Sequence, residues 1–276
     1  SSDLAPYVTH PDLPQFHGMI RECQRELSAI GRKARELNIR LSFHPSQFIV
    51  LNSPDPELVR KSILDLAAQA EMLDRMELGP EAVVVIHVGG AYGDRPQGNV
   101  RWVKAWKTLP EHVQRRLVLE HDDLRFSAAD VLWIHEHTGV RLIFDYQHFW
   151  CFNPEQLDLC ETFEKILRTW PKSVRPKIHF SSPRSELRQL ERINRKTGEK
   201  ETVTMYPPWT GHADFCNPFE FCTFMRMIPA KREFDVMLES KAKDLSLLRL
   251  RGDMMRYAPD IAVRFTRKTR QKGANV

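Results

Sequence analysis

The sequence lacks the features of a membrane protein, of a disulfide-linked protein and of a thiolate metal site. No run of about 18 apolar residues occurs, and no signal peptide opens the chain, so we expect a soluble protein. The cysteines are odd in number, and none stands in a Cys-x-x-Cys pair, which argues against a disulfide framework and against zinc held by thiolates. A reducing cytoplasm is therefore the expected location.

Acidic residues are absent from the C-terminal end, and this absence accounts for the net charge. The chain has 41 Lys and Arg against 36 Asp and Glu, and residues 264–276 contain five cations without an acid. Residues 261–276 are predicted to form a basic tail, which either contacts phosphates or is merely solvated. The remainder is balanced, so the net charge alone does not indicate a nucleic-acid-binding protein.

What the chain does contain is an alternation of β-branched runs and helical patterns at the spacing of βα units. Asp55 before Pro56 predicts one helix start, and Ser127 and Gly139 predict both ends of another helix. The predicted strands are residues 39–43, 82–88, 116–120, 141–145, 176–180 and 234–239. Residues 184–201 are polar and charged, so they are predicted to be an exposed insertion within a loop.

Polar residues at the strand ends decide between the two folds that repeated βα units allow, an open doubly wound sheet and a closed (β/α)₈ barrel. Each predicted strand has a metal-ligand type at or near its carboxyl end, namely His44, His87, Glu120, Asp145, His179 and Glu239. A single histidine at such a position is more often structural. Six ligand types on six strands indicate a barrel, because its strand ends converge at one mouth. We predict one α/β TIM-barrel domain over residues 1–260.

The ligand types also predict the chemistry. Loops supply the further candidates His148, His212 and His10, whereas His135 and His137 lie within a predicted helix and are interpreted as surface residues. Imidazoles and carboxylates without cysteine suit zinc, manganese or related divalent ions rather than calcium. The ligands outnumber those of one tetrahedral ion, so we predict two or three ions, as in phosphodiester hydrolysis.

Seven segments carry a resemblance to a known family. In order they are SFHPSQFIVLNSPD, VIHVGGAYGD, LVLEHDD, FDYQHFW, PKIHFSS, GHADF and MLESKAKD. As an ordered set they resemble the UV damage endonuclease family, which shares its barrel type with the endonuclease IV class. The resemblance implies a DNA repair enzyme that hydrolyses the phosphodiester immediately 5′ to a UV photoproduct, and often an abasic site, and leaves a 3′-hydroxyl. It implies double-stranded DNA as the partner of a monomeric, DNA-associated protein.

The resemblance further implies a role for each ligand. His44, His87 and Glu120 would surround one ion, and Glu120, Asp145, His179 and Glu239 would surround a second. His148 and His212 would hold a third, assisted by Lys177. The expected metal is Mn²⁺, with Mg²⁺, Co²⁺ and Zn²⁺ as alternatives, and the predicted catalytic residues are Glu120, Lys177 and His179.

Lys177 needs a separate explanation because it shares a strand face with His179, where an ammonium group would be repelled by cations. In the family this lysine is carboxylated and becomes an anionic ligand, and the resemblance implies the same modification here. The alternative is an ammonium group that points to solvent.

Four residues are predicted to contact DNA: Gln47, Phe48, Tyr92 and His10. The Gln47–Phe48 pair resembles a Gln–aromatic pair that occupies the gap left by a flipped lesion in the family. The alternative is that Phe48 packs under its own loop against Ile49, Val50 or Leu51.

One departure and two rival functions accompany the resemblance. The family has two strands before the point where this sequence begins, so we expect a barrel that lacks its first two strands. The first rival is a metal-dependent sugar isomerase or epimerase on a similar barrel, which gives no role to Phe48. The second is a non-catalytic nucleic-acid-binding barrel, which would retain DNA without bound metal.

Overall fold

The computed structural model describes residues 5, 7–10, 12–228 and 231–265. Within these ranges the chain divides into two compact units, a first unit of Ser1–His179 with Lys231–Val236 and a second unit of Phe180–Ala230 with Met237–Val276. Most of the predicted basic tail lies outside the described residues. Its first part is not a tail, because residues 261–265 belong to a helix in which Ile261 and Ala262 are buried. The single domain over residues 1–260 stays a prediction.

The first unit alternates helices with short strands. After a 3-10 turn at Pro14–Phe16, its helices are α1 (Met19–Glu22), α2 (Gln24–Leu37), α3 (Pro56–Arg75), α4 (Arg95–Trp106), α5 (Glu111–Arg116), α6 (Ala128–Thr138), α7 (Tyr146–Cys151) and α8 (Leu159–Arg168). The predicted caps are confirmed: the Asp55 side chain accepts the Glu57 N–H, and α6 starts with a capping box at Ser127 and ends at Gly139 with a φ of 75°. Among the helices in the described ranges, none combines the length and the apolar composition that crossing a membrane requires.

Parallel strands form the centre of the first unit. The strands β1 (Val84–His87), β2 (Leu117–Glu120) and β3 (Arg141–Ile143) form one sheet in that order. Phe43 pairs in parallel with Val84, the first residue of β1. Asp145 pairs in parallel with His179 of β4 (Lys177–Phe180). The carboxyl ends of these strands therefore lie side by side, with His87 directly opposite Glu120.

The predicted strand 39–43 is wrong in extent, because only Phe43 has strand pairing. Phe43 donates its N–H to Val83 O at 2.9 Å and accepts from Val85 N–H at 2.8 Å. In the described part of the chain, β1 is the one strand that pairs with Phe43, and residues 39–42 have no strand pairing.

The described residues of the second unit form an antiparallel hairpin and three helices. Its elements are β5 (Arg188–Ile193), β6 (Lys200–Met205), α9 (Pro218–Met227), α10 (Lys243–Tyr257) and α11 (Pro259–Phe265). The strand β7 (Asp235–Leu238) passes from the first unit into the second, where the following Glu239 N–H donates to Phe180 O at 3.0 Å.

The exposed insertion predicted at 184–201 forms the hairpin of β5 and β6, which extends to Met205. The insertion is exposed as predicted, since all of β5 and most of β6 face solvent. With no buried face, the two strands carry no apolar alternation by which they could be recognised.

Candidate metal centre

Glu120 lies at the centre of a cluster of imidazoles in the first unit. It ends the apolar strand β2 and is fully buried, which costs several kcal/mol unless the charge is compensated. Its Oε2 lies 3.3 Å from His44 Nε2 and 4.0 Å from His87 Nε2. Its Oε1 lies 2.9 Å from His179 Nδ1 and 3.5 Å from His148 Nδ1. Each carboxylate oxygen therefore faces a different pair of histidines.

The electrostatics of this cluster hold Glu120 ionised. Burial raises the pKa of its carboxyl group, but His179 and His87 outweigh burial and bring the pKa well below its usual range. Burial likewise lowers the pKa of the His148 imidazole, but Asp145 and Glu120 raise it well above its usual value. The site is thus one in which anionic oxygens attract positive charge.

Two groups of ligand atoms share Glu120. One consists of His44, Glu120 and His179, and the other of Glu120, Asp145 and His148, each with its ligand atoms within 4.8 Å of one another. Helix α7 brings Asp145 and His148 of the second group together. Asp145 caps the start of this helix by accepting the His148 N–H at 2.7 Å. One helical turn then brings residues i and i+3 to the same side.

The donor set fits divalent cations. It consists of imidazole nitrogens and carboxylate oxygens without a thiolate, which suits zinc, manganese and related ions. The His87 Nδ1 atom is buried and, among the described residues, has no hydrogen-bond partner. The Nε2 atom of the same ring is the one that faces Glu120, so the fit to divalent cations rests on the types of donor atoms.

His121 is a residue of the site that the sequence did not reveal. Its ring is fully buried, and its Nε2 accepts the Asp145 N–H at 3.1 Å. Burial, and then the neighbouring His148, lower its pKa to about 3, so the ring is neutral. It joins the end of β2 to the end of β3. The only signal in the sequence was its position directly after Glu120, on the opposite face of an extended chain.

Lys177 is buried beside the cluster rather than pointing to solvent. It is 3% exposed, and its Nζ donates to Ser42 Oγ at 2.8 Å. The solvent-pointing alternative is therefore wrong, and Ser42 is a partner that the sequence did not suggest. Carboxylation of Lys177 stays a prediction.

Two further predicted ligands meet in the second unit. The His212 Nδ1 lies 3.0 Å from Glu239 O and 3.8 Å from Glu239 Oε2. Arg184 fixes the backbone here by donating to His212 O at 2.9 Å. The assignment of Glu239 and His212 to particular ions, and of His212 to the same ion as His148, stays a prediction.

The residues predicted to contact DNA differ in their settings. Gln47 and Phe48 form an exposed turn in which Phe48 is 75% exposed, so the alternative in which Phe48 packs under its loop is wrong. Tyr92 is 47% exposed, with the Arg101 guanidinium 5.5 Å from its ring centroid. His10 is exposed beside Tyr7 and is not part of either ligand group around Glu120. The DNA contacts themselves stay predictions.

The two helical histidines lie outside the cluster, as predicted. His135 is half-buried and His137 is exposed on α6, where their Nδ1 atoms lie 2.7 Å from Val140 O and 2.8 Å from Trp133 O, respectively.

Comparisons with known proteins identify the family of this chain. The model of a family described as UV-endonuclease UvdE matches residues 1–265. Relatives named UV DNA damage endonuclease, from Bacillus velezensis and Bacillus pumilus, are each 32% identical over 252 residues, which is 91% of this chain and 72% of theirs.

Solved structures give the same result for the fold. The crystal structure of SacUVDE is 32% identical with a TM-score of 0.74, over 93% of this chain and 78% of that one. Endonuclease IV from Thermus thermophilus has a TM-score of 0.53 at 16% identity, over 83% of this chain and 81% of that one, which shows the fold alone. The predicted α/β fold of the TIM-barrel type is confirmed. The chain belongs to the UV-endonuclease UvdE family.

Proposed function

We propose that this protein is a metal-dependent endonuclease that hydrolyses the phosphodiester immediately 5′ to a UV photoproduct and leaves a 3′-hydroxyl. The observation that carries the proposal is Glu120, whose two oxygens face different histidine pairs at distances of 2.9–4.0 Å. A carboxylate in this position can bridge two cations. The names of the relatives supply the substrate, DNA damaged by ultraviolet light.

The residues of the first unit divide between two ion positions. His44 and His87 would hold one ion with Glu120, and Asp145 and His179 would hold a second with the same carboxylate. His148 stays the proposed ligand of a third ion. When bound, divalent ions generate hydroxide near neutral pH and stabilise the attacking and leaving oxygens of a phosphodiester. Mn²⁺ is the proposed metal, and three ions are the proposed maximum.

Supporting residues orient these ligands. His121 fixes Asp145 through the backbone N–H of that residue, which is the kind of contact that holds a ligand in its working orientation. Glu239 and His212 of the second unit and a carboxylated Lys177 complete the proposed ligand set. Gln47 and Phe48 are proposed to fill the gap in the duplex when the damaged bases leave the stack.

A nicking assay tests the proposal directly. The purified chain is freed of metal with a chelator, supplied separately with Mn²⁺, Mg²⁺, Co²⁺ or Zn²⁺, and incubated with UV-irradiated or undamaged supercoiled plasmid. We expect nicking only with metal and irradiated DNA, and ends that a polymerase extends without processing. Equal nicking of undamaged plasmid, or nicking in the presence of chelator, would contradict the proposal.

Two control measurements address the rival functions. Elemental analysis of the purified chain should find at least two divalent ions per molecule, whereas a non-catalytic DNA-binding barrel would retain DNA without them. Turnover of simple sugars in the absence of nicking would indicate an isomerase.

A further inference from the structure

Four adjacent segments of the first unit, three loops and helix α7, each expose one large apolar side chain. They follow the carboxyl ends of the Phe43 segment, β1, β2 and β3, and they expose Phe48 by 75%, Tyr92 by 47%, Leu124 by 62% and Trp150 by 54%. Single exposed apolar residues are common on protein surfaces. A series along neighbouring loops, beside a cluster of metal-ligand residues, indicates a binding surface.

The loop at 121–126 presents its tip in a fixed conformation. The Asp122 Oδ1 accepts the backbone N–H groups of Leu124, Arg125 and Phe126, and the Asp122 N–H donates to Phe126 O at 2.9 Å. The Phe126 ring is fully buried, whereas Leu124 and Arg125 are exposed. A tip held in this way loses little conformational entropy when it binds a partner.

The neighbouring loop is tied to the first at its base. His121 accepts the Asp145 N–H, and His121 O lies 3.0 Å from His148 Nδ1. Trp150 follows two residues later on α7, where its ring contacts the buried Phe149 with centroids 5.9 Å apart. Leu124, Arg125 and Trp150, here called the flank patch, are therefore carried by two connected and well-anchored segments.

The strand order gives the distance between the flank patch and Phe48. β2 is the second strand from the Phe43 segment and β3 is the third. Neighbouring strands lie about 4.8 Å apart, so the strand ends from which these two segments start lie at most about 10 and 14 Å from the end of the Phe43 segment. A DNA strand advances about 3.4 Å per nucleotide, so this separation equals about three to four nucleotides.

The chemistry of the flank patch suits nucleic acid. A guanidinium binds phosphate, and apolar or aromatic side chains pack against sugars and base edges. The Asp122 carboxylate is directed at the backbone of its own loop, where it accepts the three N–H groups. Asp123 is half-buried, whereas Arg125 is exposed at the tip.

We propose that Leu124, Arg125 and Trp150 form a second DNA-contact surface, which binds the strand about three to four nucleotides from the position of Phe48. The surface anchors the flank of the duplex and does not read the lesion. The identification of the partner as DNA rests on the proposed function. The flank patch should therefore contribute equally to the binding of damaged and undamaged duplexes.

Matched pairs of variants test the flank patch. Leu124→Ala, Arg125→Ala and Trp150→Ala are compared with Leu64→Ala on α3, Arg25→Ala on α2 and Trp133→Ala on α6, which replace exposed residues of the same types. Affinity for a duplex with one photoproduct, and for its undamaged counterpart, is measured by fluorescence anisotropy in chelator. We expect each patch variant to bind both duplexes about 3- to 10-fold more weakly, and each control to stay within about twofold of wild type. The melting temperature of each variant is measured as well, because Trp133 is 36% exposed and stacks on His137, and affinities are compared below the unfolding transition of every variant.

The position of the contact is tested on the DNA. Single phosphates are replaced by neutral methylphosphonates along the damaged duplex. We expect wild type to lose affinity at one phosphate about three to four nucleotides from the lesion, and Arg125→Ala to be insensitive at that phosphate. Arg125→Ala should also reduce the slope of log affinity against log salt by about 1.

The outcomes separate this inference from the proposed function. If wild type nicks irradiated DNA but the patch variants bind like their controls, the flank patch is overturned and the function stands. If wild type binds DNA through the patch without nicking it, the function fails and the patch stands. If wild type binds neither duplex, both are overturned.

Discussion

In the first unit, the loops before the parallel strands and the loops after them differ in how far they expose large side chains. Those that lead into β1, β3 and β4 bury Leu78, Val140 and Trp170, all less than 10% exposed. Those that follow the strands expose Phe48 and Leu124 by 75% and 62%. The first set closes the core, whereas the second set leaves Phe48 and Leu124, which are proposed to contact DNA, accessible to solvent.

Charge is arranged differently at the two ends as well. At the amino ends, Arg116 donates to Leu78 O, Ala82 O and Asp74 Oδ1, and Arg141 lies 4.9 Å from the centroid of the Trp170 ring. Both arginines therefore have defined protein partners. At the carboxyl ends, Glu120 is compensated by imidazoles that could equally bind ions. This difference agrees with the general division of such folds, in which one face supplies stability and the other supplies chemistry.

The largest expected effect is at the carboxyl ends. Glu120→Gln keeps the shape of the side chain but removes the charge that both histidine pairs face, so we expect nicking to fall on the order of 10³-fold or more. DNA affinity should stay within about threefold of wild type, because phosphate contacts elsewhere supply it. Nicking rates and anisotropy on the same irradiated substrate measure both quantities. A variant that nicks at the wild-type rate would remove the cluster from the mechanism.

The matching test at the amino ends should affect stability instead. Arg116→Met leaves Asp74 without its closest cation and several carbonyls without a donor, so we expect the free energy of unfolding to fall by about 2–4 kcal/mol. Urea denaturation measures this change. The neighbouring Arg115 is exposed and 3.9 Å from Asp74, so Arg115→Ala should change stability by less than about 0.5 kcal/mol.

The comparison of the two ends requires that Arg116→Met leave function intact. Below its unfolding transition, this variant should retain the wild-type ratio of nicking on damaged and undamaged DNA. A changed ratio would mean that the two ends are not separate in their roles.

A smaller effect is expected from the exposed aromatic beside His44. Phe48→Ala should lower nicking of lesion-bearing duplex about tenfold, because stacking of a base on an aromatic ring is worth about 1–3 kcal/mol. Gln47→Ala should lower it less. Since Phe48 is exposed, the melting temperature of the Phe48→Ala variant should match that of wild type. Trp133→Ala on α6 is the control for the nicking assay, because it also removes a surface aromatic side chain. A drop in stability typical of a core truncation, with unchanged discrimination of damaged DNA, would contradict the proposed role.

The sequence indicated candidate ligands at strand ends because these residues follow apolar runs. A hydrophobic strand that ends in His or a carboxylate is recognisable without coordinates, and this pattern located His87, Glu120 and Asp145. It also predicted the helix starts at Asp55 and Ser127, which depend on local capping alone.

Features that depend on tertiary contacts were not predictable in this way. His121 acts through the backbone N–H of Asp145, a residue 24 positions later, and Lys177 meets Ser42 across 135 positions. The exposure of Leu124 has no periodic signature, because its conformation is set by one carboxylate and three backbone groups of its own loop.

The smallest expected effect concerns the basic residues beyond α11, which belong to neither set of loops. Arg264, at the end of this helix, already donates to Met225 O, which leaves Arg267, Lys268, Arg270 and Lys272 as the remaining cations of that stretch. If they contact phosphates, deletion of residues 266–276 should weaken binding to damaged and undamaged duplexes alike, by about two- to fivefold. A loss of this size corresponds to about one phosphate contact, so the slope of log affinity against log salt should flatten by about 0.9 or less. A variant with the four cations changed to Gln keeps the chain length and should behave like the deletion. An unchanged slope would mean that the cations of residues 266–276 make no phosphate contact. The non-specific affinity for DNA would then come from the loops at the carboxyl ends of the strands.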